Sequence, residues 1–247
     1  MILRRVPLAA LAPGPRRLDD AAAHYVARVL RLRAGDTFVA FDPAAALEAD
    51  ATAVRVDAHG VEVELGPVRA GGARAAREVI WLQGLPKGDK SDAVVRDATE
   101  LGATRVAFVL TARTVVKLDA ASASKRRARW AAIAEQAARQ SGRSDAPAVD
   151  DPAPWSAAVA TVNPTAARFC LYESARDALG PRLLEALAGD GPLAFACGPE
   201  GGLTAEEIAV AEQAGWRGAR IGASTLRTET VAAAVLGAVR VFAGGAL

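Results

Sequence analysis

The chain has 247 residues, 51% hydrophobic and 23% charged, which is apolar enough for one large core or two modest ones and excludes a disordered or fibrous protein. A net charge of +2 excludes a global field toward polyanions, so any nucleic-acid affinity has to come from local basic patches. Two cysteines, Cys170 and Cys197, and two histidines, His24 and His59, exclude a disulfide scaffold and a multi-cysteine or histidine-rich metal site, so no metal is expected.

No apolar run approaches the roughly 20 residues of a membrane span, and the first twenty residues hold no sustained apolar core with a small-residue cleavage site. A cytoplasmic protein without membrane contact is expected. Residues 1–72 then read as short strands. A helix over about Ala21–Leu32 precedes β-rich stretches at Asp36–Phe41 and Ala51–Asp57, and a strictly alternating one at Val61–Leu65. His59-Gly60 suits a hairpin turn. Close-spaced strands without helical partners point to a small β-barrel, and Ala70-Gly71-Gly72-Ala73 reads as the linker that ends it.

Residues 73–247 repeat strand then helix. Strands are expected at Glu78–Gln83, Arg105–Leu110, Arg168–Tyr172, Pro192–Cys197 and Ala219–Ile221. Helical patterns run over Asp89–Gly102 and Lys125–Gln140, a third starts at the capping box Thr204–Glu207, and a last one, capped by Thr228, ends at Gly244-Gly245. Near-continuous apolar strands between helices describe an α/β domain, a parallel sheet covered on both faces, whose ligand sites lie at the carboxyl ends of strands.

Two of those ends are polar and glycine-rich. One is Cys197-Gly198-Pro199-Glu200-Gly201-Gly202; glycines there let a backbone approach a ligand, although a tight turn would use them equally. Neither a Walker loop nor GxGxxG is present, and Glu200 argues against a phosphate ligand. The other runs from Ile221-Gly222 to Leu226-Arg227-Thr228-Glu229. A capped helix accounts for Thr228 and Glu229 but not for Arg227, a cation at the unfavourable end of a helix dipole. Two segments gather positive charge: Arg4, Arg5, Arg16, Arg17, Arg28, Arg31 and Arg33, then a run from Arg113 and Lys117 through Arg139 to Arg143. Solvated helix faces have this character, and so do surfaces that meet a phosphate backbone.

The set Gly198–Ile208 with Leu226–Thr230 resembles the C-terminal signature of the bacterial small-subunit (16S) ribosomal RNA uridine-N3 methyltransferases, enzymes of the knotted SPOUT class. His24–Asp36, Lys87–Lys90 with Thr99–Gly102, the region around Val116–Leu118, and Gln140–Arg143 with Pro147 are similar to further family segments, in order along the chain. The resemblance implies an N-terminal PUA-like β-barrel over residues 1–72 that binds RNA. It implies a C-terminal SPOUT domain over 73–247 with a deep trefoil knot, a homodimer, and S-adenosylmethionine as the methyl donor for N3 of one uridine in the 16S rRNA of the small (30S) subunit. The cofactor loops would be Cys197–Gly202 and Ile221, Gly222 and Leu226, with Leu171, Tyr172 and Glu173 as a further wall. Arg227 would hold the uracil or a phosphate, and Glu229 would be the base or would orient Arg227, with Glu200 a second candidate base. Arg4, Arg5, Arg16, Arg17, Arg28, Arg31, Arg33, Lys117 and Arg143 would meet the RNA. The chain departs from the family at Ser224 and Arg139, where Arg and Glu are usual, both expected near the site. A ribose hydroxyl as acceptor and a non-catalytic ribosome-assembly protein are the competing readings.

Overall fold

The structure, a computed structural model, describes residues 4–116 and 118–243, and its chain divides into two compact units. Residues up to Arg74 together with Glu135–Ala146 form the first; Ala75–Ala134 and Pro147 onward form the second. The sequence-based boundary at residue 72 did not foresee the return of residues 135–146.

The first unit is a six-stranded sheet. Its strands are β1 (Arg5–Pro7), β2 (Gly14–Arg17), β3 (Thr37–Asp42), β4 (Leu47–Asp57), β5 (Gly60–Leu65) and β6 (Arg69–Ala70). They run in the order β1-β3-β4-β5-β2, with β6 beside β4 and only the β1–β3 pair parallel. Period-two alternation places Ala49, Ala51 and Ala53 of β4 inside, and a register shift between Ala53 and Arg55 marks a bulge in the strand. Val6, Phe38, Val61, Val63 and Leu65 pack with Ala22 and Val26 into one core. The helix that supplies those last two is shorter than expected. Helix α1 (Asp20–His24), capped by Asp19, widens into one π-turn over Tyr25–Val29, where Leu30 N–H bonds back to Tyr25 O.

The expected linker, Ala70–Ala73, stops just short of the division at Arg74–Ala75, and its Gly71 is held by the first unit. The Gly71 N–H bonds Ala46 O at 2.9 Å, and a Cβ there would sit 2.1 Å from Ser144 Cβ, so this glycine is packed against its own unit. Arg5 and Arg143 are likewise not surface cations. Arg5 is 4% exposed; its guanidinium pairs with Glu48 at 2.6 Å, donates to Arg143 O and Ser144 Oγ, and lies over the Phe41 ring. Arg143 is 5% exposed and pairs with Asp145 at 2.9 Å. Burial alone would raise the Glu48 carboxyl, but hydrogen bonds from Ser144 and Arg5 and the Arg5 charge outweigh it and hold it below its ordinary value. Its contribution to stability is therefore present above the carboxyl's unfolded pKa and lost as pH falls through the lowered one. Removing one partner strands the other charge, so Arg5→Ala should cost about 3–5 kcal/mol in denaturant unfolding at neutral pH, and less in acid. A loss of RNA affinity with unchanged stability would return Arg5 to the surface set.

The second unit is a parallel sheet. Its strands are β7 (Val79–Gly84), β8 (Arg105–Leu110), β9 (Ala148–Val149), β10 (Ala153–Pro154), β11 (Ala167–Leu171), β12 (Leu193–Cys197) and β13 (Arg217–Ala219). Their order is β10-β8-β7-β12-β11-β13, with β9 also on β8. Every residue of β7 and β12 is buried. Alternate side chains serve two cores, which is why these strands read as continuous apolar runs. Trp81, Phe108, Phe169 and Phe195 face one core with α2 (Lys90–Glu100), α3 (Ala120–Ser141) and α7 (Thr228–Phe242); Ile80, Leu82 and Ala196 face the other with α4 (Trp155–Thr161) and α6 (Ala205–Gln213). Helix α5 (Leu179–Leu187) adds Leu179 and Leu183 to the first core. Each such side chain contributes about 1.5–3 kcal/mol over leaving it in water. Among the described residues no helix is long and apolar enough to cross a membrane.

Candidate active site at the strand ends

A cleft of about 400 Å³ opens in the second unit where β11, β12 and β13 end. Of the twelve cofactor residues expected from sequence, Leu171, Tyr172, Glu173, Cys197, Gly198, Pro199, Glu200, Gly202, Ile221, Gly222 and Leu226 line it. Gly201 does not. Its carbonyl accepts from Arg113 Nη1, and a Cβ there would meet Arg113 Cβ at 3.1 Å, so Gly201 rests on that arginine.

The loop after β12 is folded by its glycines. Gly202 has φ +71 and donates to Pro199 O at 2.8 Å, closing a turn. A Cβ on Gly198 would lie 2.7 Å from Gly202 C, and one on Gly84, at the end of β7, 2.3 Å from Pro199 N. Only bare backbone fits at these two points. The N-terminus of α6 takes no part: Thr204 and Glu207 cap each other's N–H groups. Across from β12, Gly218 makes room for Tyr172, whose Oη would be 2.4 Å from a Cβ there. Burial first, then the nearby Glu212 charge, raises the Tyr172 phenol, which stays neutral. Cys197 is no nucleophile, since burial pushes its thiol up to about 12.

The charged groups are mostly spoken for. Glu200 accepts from Lys90 Nζ at 2.9 Å and from Lys87 N at 3.1 Å. Burial would raise its carboxyl, but Lys90, backbone N–H groups and the Lys90 charge hold it below the ordinary value. Lys90 also reaches Glu229 Oε2 at 3.6 Å. Glu229 is not part of the cleft wall, and that same oxygen is buried without a hydrogen bond. Arg220 is taken up by Ala175 O and Arg176 O. Arg227, the residue before α7, is exposed on the cleft wall, and its guanidinium has no hydrogen bond or ion pair among the described residues.

Lys90, Arg220 and the Ala223–Thr225 segment line the cleft and were missed as site residues; Lys90 belongs to a segment that carried the resemblance but no role. Thr228 is no helix cap, because its hydroxyl donates to Gly198 O at 2.8 Å. The departure at Ser224 does fall on the cleft wall. The one at Arg139 does not: it belongs to the first unit and lies over the Tyr25 ring at 4.2 Å. Of the expected RNA-binding set, Arg4 is held near Asp36, and Arg16 and Arg17 donate to carbonyls of Ala9, Ala10 and His59. Arg28, Arg31 and Arg33 are exposed, with side chains unpaired among the described residues. Lys117 and the Gly244-Gly245 stop lie outside the described residues.

The family model of an RNA methyltransferase domain matches residues 73–240, and that of an RNA methyltransferase PUA domain matches 18–65. The chain belongs to this RNA methyltransferase family. It is 38% identical over 168 residues to the Ribosomal RNA small subunit methyltransferase E of Mycobacterium bovis, a match that takes 66% of this chain and spans only 63% of that protein's length. The Synechocystis methyltransferase of the same name is 32% identical over 215 residues, 86% of this chain and 68% of the other. In three dimensions the chain is similar to a crystal structure of Ribosomal RNA small subunit methyltransferase E from Neisseria gonorrhoeae bound to S-adenosyl methionine. The TM-score is 0.87 at 26% identity, with 97% of each chain covered. The PUA match falls on the first unit's helix and central strands, and the methyltransferase match takes in the whole of the cleft.

Proposed function

We propose that this methyltransferase moves a methyl group from S-adenosylmethionine to N3 of a uridine in 16S ribosomal RNA, in the cytoplasm and as a homodimer. The observation that carries the reading is the cleft itself, walled by bare backbone at Gly198, Gly202 and Gly222 and by apolar side chains of Leu171, Ile221 and Leu226. That combination suits a flat apolar adenine with hydrogen-bonding edges, and the volume is within the usual ~300–1,000 Å³ of small-molecule sites. When bound, the cofactor would supply an electrophilic methyl on a sulfonium, a leaving group that needs no metal.

The protein's task is to align the acceptor and to stabilise N3 without its proton. Arg227, a guanidinium on the wall without a partner among the described residues, is the group placed for it: its fork matches a uracil carbonyl oxygen that gains negative charge. Glu200 and Glu229 are not assigned the base. Both stand beside one ammonium, and the Glu200 carboxyl is held down by it, which weakens it as a proton acceptor. The N3 proton is instead lost to water as Arg227 stabilises the anion. Arg28, Arg31 and Arg33 supply sequence-independent attraction to the RNA backbone. The exposed Leu184 of α5 and Val241 and Phe242 of α7, two helices in contact, support a self-association face.

Calorimetric titration of the purified protein with S-adenosylmethionine tests the reading at its base. Saturable one-to-one binding per chain is expected, retained without RNA. No binding across a millimolar range would refute the cofactor assignment.

A further inference from the structure

We propose that Gln83 is a positioning residue that ties two walls of the cleft together through Thr228, setting the site's readiness for its cofactor before any ligand arrives. The proposal rests on reading the cleft as the S-adenosylmethionine site.

Gln83, the penultimate residue of β7, is 0% exposed and does not line the cleft. An amide there loses its water, so each of its hydrogen-bonding positions has to be met inside the protein. The partners come from its own strand and from two distant stretches of chain. Oε1 accepts from Trp81 Nε1 at 3.0 Å and from Cys197 Sγ at 3.3 Å. Nε2 donates to Thr228 Oγ1 at 2.7 Å, to Gly84 O at 3.2 Å and, more weakly, to Gly198 O at 3.4 Å.

The orientation of this network is forced. An indole N–H can only donate, so the amide oxygen must face Trp81 and the NH₂ must face Thr228. Because the Thr228 oxygen already accepts from Gln83, its proton is free for Gly198 O, which it meets at 2.8 Å. The Gly198 carbonyl is thus held by the hydroxyl of the residue that begins α7, directly after Arg227. One fully buried amide thereby fixes the glycine loop after β12 and the Leu226–Thr230 segment to each other. A leucine or methionine at 83 would fill the volume as well. It would leave an indole N–H without an acceptor and would give the Thr228 hydroxyl no defined direction. Chains of this kind are worth more together than singly.

The test uses the full-length protein, with Thr228→Val and Gln83→Met as near-isosteric cuts and Thr228→Ser as the conservative restoration. Hydrogen exchange on the cofactor-free protein should show faster exchange in both the 198–203 and the 226–231 segments for either cut, and wild-type exchange for Thr228→Ser. Titration with S-adenosylmethionine should show a loss of about tenfold for each cut, the net value of one buried hydrogen bond. The double variant should be little worse than either single one, because both remove the same link. Acceleration in only one segment, strictly multiplicative losses, or a folded Thr228→Val with wild-type exchange and affinity would each overturn the proposal. If the wild-type protein failed to bind S-adenosylmethionine, the cofactor reading would fall, while the exchange measurements would still decide whether Gln83 couples the two segments.

Discussion

Replacing Gly198 by alanine should remove cofactor binding almost entirely while the rest of the molecule stays folded. A Cβ at this position lies 2.7 Å from Gly202 C and 3.0 Å from both Cα and O of the same residue, so it meets backbone on a closed turn rather than the end of a flexible side chain. The turn cannot yield locally: Gly202 is bonded to Pro199, the Gly198 carbonyl is held by Thr228, and Gly84 presses on Pro199 from beneath. The loop has to move as a piece, and a displacement on the order of 1 Å is enough to cost roughly 10²-fold where a ligand is held by backbone geometry. Calorimetry with S-adenosylmethionine and a thermal melt on the same sample separate the two effects. Gly201→Val is the control. That residue faces the Arg113 side chain rather than the cleft, so affinity should change by no more than a few-fold. Equal losses at both positions would show that general disruption of the loop, not the geometry at Gly198, is responsible.

Arg227→Ala should have the largest effect on turnover at unchanged fold. An exposed side chain without partners among the described residues has little to lose in stability, within about 0.5 kcal/mol, whereas removing one charge-stabilising group from a site costs about 10²–10³ in rate. Cofactor affinity should stay within a few-fold. Arg227→Lys should recover only part of the rate, since an ammonium lacks the planar fork. Without the guanidinium, N3 must ionise unaided, so the variant's rate should climb further with rising pH than the wild type's. Glu229→Gln should keep most of the activity, because that carboxylate stands behind Lys90 and outside the cleft wall. Near-normal turnover of Arg227→Ala, or complete loss in Glu229→Gln with rescue at high pH, would exchange the roles given to these two residues.

Much of the second unit was legible in the sequence, and for a physical reason. Strands buried on both faces must be apolar throughout, so β7, β8, β11 and β12 stood out within one or two residues of their ends. The first unit was less legible where order comes from distant partners. Strands β1 and β2 are three and four residues long, rich in Arg and Pro, and exist only because β3 and β5 offer them a ladder. Arg5 looked like a surface cation because nothing in its neighbourhood announces Glu48 and Ser144, 43 and 139 residues away.

The cleft follows the same division. Its glycine loops were visible as composition, and eleven of twelve expected residues line it. What was not visible is what holds the loops: Gln83 looked like the end of an apolar run, and Thr228 like an ordinary cap. Gln83 reaches Thr228 across 145 residues of sequence and Thr228 reaches Gly198 across 30, through bonds that no local pattern encodes. Lys90 was hidden differently. A lysine at the start of a helix reads as solvated, and only the fold brings it between the carboxylates of Glu200 and Glu229.

The most direct measurement is nucleoside analysis by mass spectrometry of 16S ribosomal RNA from small subunits lacking the modification, incubated with the purified protein and methyl-labelled S-adenosylmethionine. Label is expected in N3-methyluridine alone, at one position, with initial incorporation about 10²–10³-fold slower for the Arg227→Ala protein. Label on a ribose hydroxyl, or a protein that binds the subunit and transfers nothing, would contradict this expectation.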